Sequence, residues 1–171
     1  MSLSPPAARS HQHTHPMNND SLPGAPHIHY LGDELHMEQV RLADLARNFG
    51  TPLFVYSEAS ILAALAAYQR GLAGRNALVC YAMKANSSLG ILRLLAAAGC
   101  GFDIVSGGEL DRVIAAGGDP RNVIFSGVGK TRAEMRQALA AGIACFNVES
   151  EAELEVLNEV ALAGGRQAPV S

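Results

Sequence analysis

The chain has 171 residues, of which 49% are apolar, and a formal net charge of −3. No cluster of Lys and Arg is present, and aromatic residues make up 5% with no Trp, so the composition gives no indication of nucleic-acid binding. No apolar stretch approaches the roughly 20 residues of a membrane span, and the N-terminus lacks an apolar signal core. Three cysteines without CxxC spacing predict reduced core thiols in a cytoplasmic protein.

Residues 1–26 are rich in Pro, Ser, Asn and His and predict a disordered tail. His11, His13 and His15 alternate within it and could bind a metal ion in vitro. A solvated tail without an evolved metal site is the interpretation that we adopt.

Residues 27–56 predict a separate N-terminal segment. Within it, His36 to Phe49 has the apolar spacing of an amphipathic helix, and Pro52 to Tyr56 predicts a short strand. A second helix is predicted to begin at Ser57 and to run to about Arg70.

From residue 77 onward, apolar strands alternate with helices. The strands are predicted to begin near Ala77, Gly101, Asn122 and Ala144, at intervals of 21 to 24 residues. This alternation predicts an α/β fold with a parallel sheet. Regular spacing without a Gly-x-Gly-x-x-Gly motif favours a TIM-type (β/α)8 barrel over a dinucleotide-binding sheet.

Three of the predicted helices begin with the sequence pattern of a capping box. The pairs are Ser106 with Glu109, Thr131 with Glu134, and Ser150 with Glu153.

A complete eight-unit barrel needs about 250 residues, whereas residues 57–171 hold about four βα units. Gln167 to Ser171 has the composition of the first residues of a fifth strand. We therefore expect the N-terminal part of a longer enzyme, inactive when isolated.

Two residues stand out as chemically reactive candidates. Lys84 ends the apolar strand that begins near Ala77, and burial of an amine favours its neutral, nucleophilic form, which can attack a carbonyl. Asp103 interrupts another apolar strand and could hold a positive charge or transfer a proton. The alternatives are a lysine that reaches solvent at a strand end, and an aspartate that accepts hydrogen bonds from nearby backbone.

The sequences Tyr-Ala-Met-Lys-Ala-Asn at 81–86 and Gly-Phe-Asp-Ile-Val-Ser-Gly-Gly-Glu-Leu at 101–110 resemble the fold-type III decarboxylases, which have the alanine racemase fold and use pyridoxal phosphate. The resemblance extends from about Ile28 to the C-terminus. It is strongest to the members that convert meso-2,6-diaminopimelate to L-lysine.

The resemblance implies that Lys84 bonds covalently to pyridoxal 5'-phosphate and that Asp103 is catalytic beside it. It also implies that Glu109 lies near the cofactor, although a capping role with Ser106 explains Glu109 equally well. A small amino-acid substrate and a homodimer are expected for the full-length enzyme, with residues 27–56 joined to a C-terminal β-domain. The alternatives are another decarboxylase or racemase of this fold, or a pyridoxal-phosphate-binding fragment without turnover.

The segment Ser126 to Thr131 contains two glycines and a lysine but lacks the first glycine of a P-loop, because residue 124 is Ile. We therefore interpret it as a strand-to-helix loop at the barrel mouth rather than an ATP site. Asn147 and Glu149 are predicted to lie on the same rim. All six histidines lie at or before His36, so no histidine of the predicted barrel can stack on a cofactor ring.

Overall fold

The computed structural model describes residues 22–171, which divide into two compact units at Ala59/Ser60. Of the predicted tail, residues 1–21 lie outside the described residues, as do His11, His13 and His15. Residues 22–27 form turns, in which the Ala25 amide donates a hydrogen bond to the Leu22 carbonyl at 3.1 Å.

The first unit is a small antiparallel sheet followed by a short helix. Strands β1 (Ile28–Leu31), β2 (Glu34–Met37) and β3 (Val40–Arg41) pair in chain order, and helix α1 covers Leu42–Phe49. The prediction of one helix from His36 was wrong over its first six residues. The chain reverses direction at Glu38, whose φ is 53°, and this turn places β2 against β3.

Residues 53–57 have no regular secondary structure, so the strand predicted over Pro52 to Tyr56 was also wrong. Two hydrogen bonds nevertheless fix the end of this segment. The Glu38 carboxylate accepts from the Ser57 hydroxyl at 2.6 Å and from the Ala59 amide at 3.0 Å. These bonds lower the pKa of Glu38 below its ordinary value and satisfy a donor at the start of the next helix.

The second unit is a sequence of βα units. Its elements in chain order are α2 (Glu58–Gly71), β4 (Cys80–Ala82), α3 (Leu89–Ala97), β5 (Gly101–Ile104), α4 (Gly107–Ala115), β6 (Val123–Phe125), α5 (Arg132–Ala141), β7 (Cys145–Phe146) and α6 (Glu151–Ala163). Strands β4 to β7 form one parallel sheet in chain order, which confirms the predicted α/β class. A parallel bridge between Phe146 and Val170 shows a further strand position beyond β7, where a fifth strand was predicted.

The strand predicted from Ala77 to Met83 is shorter in the structure. Pairing with β5 begins at Cys80, which is opposite Gly101, and a 3-10 helix at Met83–Ala85 replaces the end of the predicted strand. The packing around residue 101 requires a glycine, because an added Cβ there would lie 2.6 Å from the Asn122 carbonyl oxygen and 2.8 Å from Cys80 Sγ on β4.

The two faces of this sheet differ in burial. The face toward the helices is fully buried and carries Phe102, Ile104, Val123, Phe125 and Phe146. The opposite face carries residues that are only half-buried, namely Ala82, Asp103, Ile124 and Cys145, which share one row of the register. Among the described residues, the polar side chains of this second face are therefore partly accessible.

One of the three predicted capping boxes is complete. Thr131 Oγ1 accepts from the Glu134 amide, and the Glu134 carboxylate accepts from the Thr131 amide. Ser106 and Ser150 also cap their helices, but the carboxylates of Glu109 and Glu153 bind other partners. The capping serines were thus predicted correctly, whereas the two glutamates have different contacts.

The three cysteines are free, as predicted from their spacing. Cys100 is buried, and Cys80 and Cys145 are half-buried; burial raises the pKa of each thiol. A raised thiol pKa disfavours the thiolate that nucleophilic or metal-binding chemistry requires. Over residues 22–171, no helix has both the length and the hydropathy of a membrane-spanning segment.

Candidate active site

Polar side chains meet at the carboxyl ends of three neighbouring strands. Asp103 lies in β5, Ser126 directly follows β6, and Asn147 directly follows β7. Because side chains alternate along a strand, all three lie on the half-buried face of the sheet. In parallel barrel proteins this edge is where catalytic residues lie.

These three side chains form a continuous chain of hydrogen bonds. The Ser126 hydroxyl donates to Asp103 Oδ1 at 2.6 Å, and the Asn147 side-chain amide donates to Ser126 Oγ at 3.0 Å. Each residue lies in or directly after a different strand, so the register of the sheet determines the order of the three side chains along the hydrogen-bonded series. The alternative that Asp103 accepts only from nearby backbone is not what the structure shows, because its bonded partner is the side chain of a residue 23 positions away in sequence.

Lys84 is at the same edge, on the other side of Asp103. Ala82 pairs with Asp103 in the register, and Lys84 follows two residues later in the 3-10 helix. Below it, Met83 is fully buried and anchors this turn in the core. Two more bonds hold the following loop: the Tyr81 hydroxyl donates to the Asn86 carbonyl at 3.2 Å, and Arg112 donates to the Ser87 carbonyl at 2.8 Å.

The Lys84 side chain is exposed among the described residues, which differs from the buried amine that the sequence predicted. The reason is local: the 3-10 turn carries the lysine past the end of the ladder instead of leaving it inside the strand. Among residues 22–171, the Lys84 amine therefore lies at the rim of the sheet and is not buried away from water as the sequence predicted.

Glu109 has a structural role in this turn. Its carboxylate accepts a hydrogen bond from the Val105 amide at 2.6 Å, while its own amide donates to Ser106 Oγ at 3.2 Å. Both contacts close the connection between β5 and α4. The Ser106 half of the predicted capping box is therefore present, but the Glu109 carboxylate accepts from Val105 instead of from the Ser106 amide, and any role of Glu109 toward a cofactor remains a prediction.

The glycine-containing loop holds a buried ion pair that the sequence analysis missed. The Lys130 side chain is 0% exposed, and its Nζ lies 2.7 Å from Glu153 Oε1, whose side chain is 9% exposed. The same ammonium donates to the carbonyls of Gly127 and Asn147 at 2.8 and 2.7 Å. No local pattern could have indicated it, because Glu153 lies 23 residues farther along the chain.

The structure thus brings together Lys84, Asp103, Ser126 and Asn147 along one sheet edge. Of these, the sequence analysis assigned roles to Lys84 and Asp103 only. Glu149 follows on the rim and is exposed. No group of three or more potential metal ligands occurs within residues 22–171.

The donor set at this edge fits a cofactor that carries an aldehyde. A primary amine that is accessible at the rim can bond to a carbonyl carbon, and a carboxylate one strand away can balance positive charge. Contacts to a cofactor ring from histidine would have to come from outside residues 57–171, which contain no histidine.

Known proteins with similar sequences and folds identify the family. The chain is 59% identical over 142 residues to diaminopimelate decarboxylase of Pseudomonas aeruginosa, a match that covers 83% of this chain and 34% of that protein. The fold matches diaminopimelate decarboxylase from M. jannaschii in complex with L-lysine with a TM-score of 0.79 and 35% identity, over 88% of this chain and 36% of that one.

A second solved structure, diaminopimelate decarboxylase from Helicobacter pylori complexed with L-lysine, matches with a TM-score of 0.73 and 41% identity, over 75% of this chain and 33% of that one. The chain therefore spans about a third of the length of these relatives.

Residues 58–168 match the family model described as the pyridoxal-binding domain of pyridoxal-dependent decarboxylases. This range contains all four strands of the parallel sheet and every polar residue of the edge described above. The match confirms the family and the pyridoxal cofactor expected from the resemblance. The chain belongs to the pyridoxal-dependent decarboxylases, and most of its length is their pyridoxal-binding domain.

Proposed function

We propose that this chain is the N-terminal third of a diaminopimelate decarboxylase, which converts meso-2,6-diaminopimelate to L-lysine and carbon dioxide. The observation that carries the proposal is the position of Lys84. It lies accessible at the carboxyl edge of the parallel sheet, one strand from Asp103, within the range that matches the pyridoxal-binding domain. The named relatives supply the substrate class.

In this proposal Lys84 would hold pyridoxal phosphate through its Nζ, because its accessible amine can bond to the aldehyde of the cofactor. Pyridoxal phosphate, when bound, supplies the electron sink that makes loss of carbon dioxide possible. Asp103 lies on the neighbouring strand, where a carboxylate balances positive charge on bound nitrogen and accepts or returns a proton. Its bond from Ser126 fixes one carboxylate oxygen and leaves the other available.

Glu109 is assigned to the architecture of this edge rather than to the reaction, because its carboxylate is bonded to the Val105 amide. If Glu109 also contacts the cofactor, it would do so in addition to its hydrogen bond from the Val105 amide. Residues 27–56 are proposed to join a C-terminal β-domain of the complete enzyme, which we propose is a cytoplasmic homodimer.

A chimera tests the proposal. Residues 28–168 of this chain replace the matching segment of the Pseudomonas aeruginosa relative, whose remaining two thirds complete the enzyme. We expect carbon dioxide release from meso-diaminopimelate in the presence of pyridoxal phosphate. Borohydride reduction should then attach the cofactor to Lys84, as read by peptide mapping.

The control is Lys84→Ala in the same chimera, which should lose both the attachment and the turnover. Attachment at Lys130, or full turnover in Lys84→Ala, would contradict the assignment. Attachment at Lys84 with turnover of another amino acid, but none of diaminopimelate, would favour a different decarboxylase or racemase of this fold.

A further inference from the structure

Lys130 is buried in the second unit, and all of its contacts can be named. Its ammonium carries three protons and has three acceptors: the Gly127 carbonyl, the Asn147 carbonyl and Glu153 Oε1. Its Nζ also lies 5.8 Å from the centre of the Phe125 ring. Every donor is thus used within the protein, so Lys130 has none left for a ligand, and any effect on the site must pass through its partners.

Those partners join two loops of the candidate active site. The Gly127 carbonyl belongs to the connection after β6, and the Asn147 carbonyl belongs to the connection after β7. Gly127 adopts a φ of 93°, a conformation that side chains rarely tolerate, and this turns its carbonyl toward the lysine. Lys130 therefore connects the loops that follow β6 and β7 through hydrogen bonds to both.

The same two loops carry the side chains that hold Asp103. Ser126 precedes Gly127 and donates to Asp103, and Asn147 donates to Ser126 through its side chain while its carbonyl accepts from Lys130. A displacement of either loop would change the 3.0 Å contact between Asn147 and Ser126. The orientation of Ser126 toward Asp103 would change with it.

We propose that Lys130 is a positioning residue that sets the orientation of the Asp103 carboxylate through Asn147 and Ser126. The consequence for catalysis rests on the proposed function, in which Asp103 touches the reacting groups. The effect of Lys130 on the positions of Asn147 and Ser126 rests on the structure alone. The effect on position and the effect on catalysis are tested separately.

The first test uses the 171-residue chain and the side-chain amide of Asn147, observed by nitrogen-15 NMR and assigned with an Asn147→Ser variant. We expect Lys130→Met to move this signal toward that of a free asparagine and to speed its hydrogen exchange at least tenfold. Arg132→Met is the matched control, because Arg132 lies two residues after Lys130 and its exposed ion pair to Glu159 also ends on α6. The control should leave the Asn147 signal in place.

Glu153→Gln is the milder second variant, since its amide oxygen can still accept from Lys130. We expect a smaller shift of the Asn147 signal in the same direction, and this variant decides the test if Lys130→Met does not fold. An unchanged Asn147 signal in a folded variant would overturn the proposal.

The second test is a double-mutant cycle in the chimera with pyridoxal phosphate. We expect Lys130→Met to lower kcat at least tenfold when Asp103 is present, and less than threefold when Asp103 is already replaced by Asn. Equal factors in both backgrounds would show that Lys130 acts only on stability and would overturn the proposal for catalysis. If Asp103→Asn alone leaves kcat unchanged, the proposed role of Asp103 fails, while the Asn147 signal still decides whether Lys130 positions the loops.

Discussion

Two lysines of this chain have opposite environments. Lys84, which the sequence predicted to be buried, is exposed, whereas the side chain of Lys130 in the glycine-containing loop is fully buried. The difference arises from the segments that follow the strands. Lys84 lies in a 3-10 turn after β4 and is exposed, whereas Lys130 lies in the loop after β6 and donates a hydrogen bond to Glu153. An exposed amine remains available for covalent bonding, and a fully bonded one does not.

At Asp103, replacement by Asn tests the carboxylate. Asp103→Asn keeps an acceptor for the Ser126 hydroxyl, so the fold should be retained, but the charge that moves protons is lost. We expect kcat of the chimera to fall about 10²-fold or more, as is typical for removal of a proton-transfer group. Asp119→Asn, in an exposed turn where Asp119 pairs with Arg121, is the control and should keep full turnover. A normal rate in Asp103→Asn would assign this residue to structure.

The buried ion pair between Lys130 and Glu153 leads to a stability prediction. Removing one partner leaves the other charge buried and unpaired, which costs about 3–5 kcal/mol. We therefore expect Lys130→Met to lower the free energy of unfolding by that amount in urea titrations of the 171-residue chain. The exposed pair of Arg132 with Glu159 should contribute less than about 1 kcal/mol, so Arg132→Met is the control. Equal losses in the two variants would contradict the burial argument.

Part of the site could be predicted from the sequence, and part could not. Lys84 and Asp103 stand out because each is a polar residue in an apolar strand, and the resemblance to a family fixes their place. Ser126 and Asn147 carry no such signal, since hydroxyl and amide side chains are common in loops. Their contribution depends on the register of three strands, which no local pattern specifies.

Among the elements, the βα units were predicted well and the N-terminal segment poorly. Units with apolar strands, serine or threonine caps and terminal glycines carry several agreeing local signals. The region from His36 to Arg41 carries conflicting ones: its apolar spacing suits a helix, but a turn at Glu38 with positive φ divides it into two strands. Glutamate rarely adopts that conformation, so the turn could not be recognised from residue type.

The capping box of α5 contains Glu134, which also contacts the start of α4 and has a shifted pKa. Glu134 accepts from the Gly107 amide at the start of α4 and from both the amide and the hydroxyl of Thr131. The bond from the Gly107 amide is the main cause that lowers the pKa of Glu134 below 4.5, followed by the bonds from Thr131.

Because the pKa of Glu134 is lower in the folded state, its contribution to stability is present above the unfolded value and is lost as the pH falls through the folded value. We expect Glu134→Gln to lower the free energy of unfolding by about 0.5–1 kcal/mol at neutral pH, since solvent screens this partly exposed group. The difference should shrink as the pH falls below the ordinary pKa of a glutamate and through the lower pKa of Glu134 in the folded state. Urea titrations at several pH values measure it, with the exposed Glu155→Gln as control. A pH-independent difference would contradict the assignment.

At the scale of the whole molecule, the two faces of the parallel sheet in the second unit differ in burial among the described residues. Helices bury Phe102, Phe125 and Phe146 completely, whereas Asp103 and Cys145 on the other face are half-buried. Parallel sheets are normally buried on both faces.

The accessibility of Lys84 and Asp103 leads to a prediction about the 171-residue chain itself. Water screens electrostatic interactions at accessible side chains, and a site of this kind works best when water is excluded. We therefore expect the 171-residue chain to show no measurable release of carbon dioxide from meso-diaminopimelate. Borohydride should also fix pyridoxal phosphate to Lys84 at least tenfold less efficiently than in the chimera.

Both proteins are assayed at the same concentration of pyridoxal phosphate, and peptide mapping quantifies the attachment at Lys84. Lys84→Ala in each protein gives the background from other amines, which matters because an open site allows non-specific reaction. Equal attachment in both proteins would show that the edge residues alone hold the cofactor. Turnover by the 171-residue chain would show that the accessible site already suffices for the reaction, and the requirement that water be excluded would then be wrong.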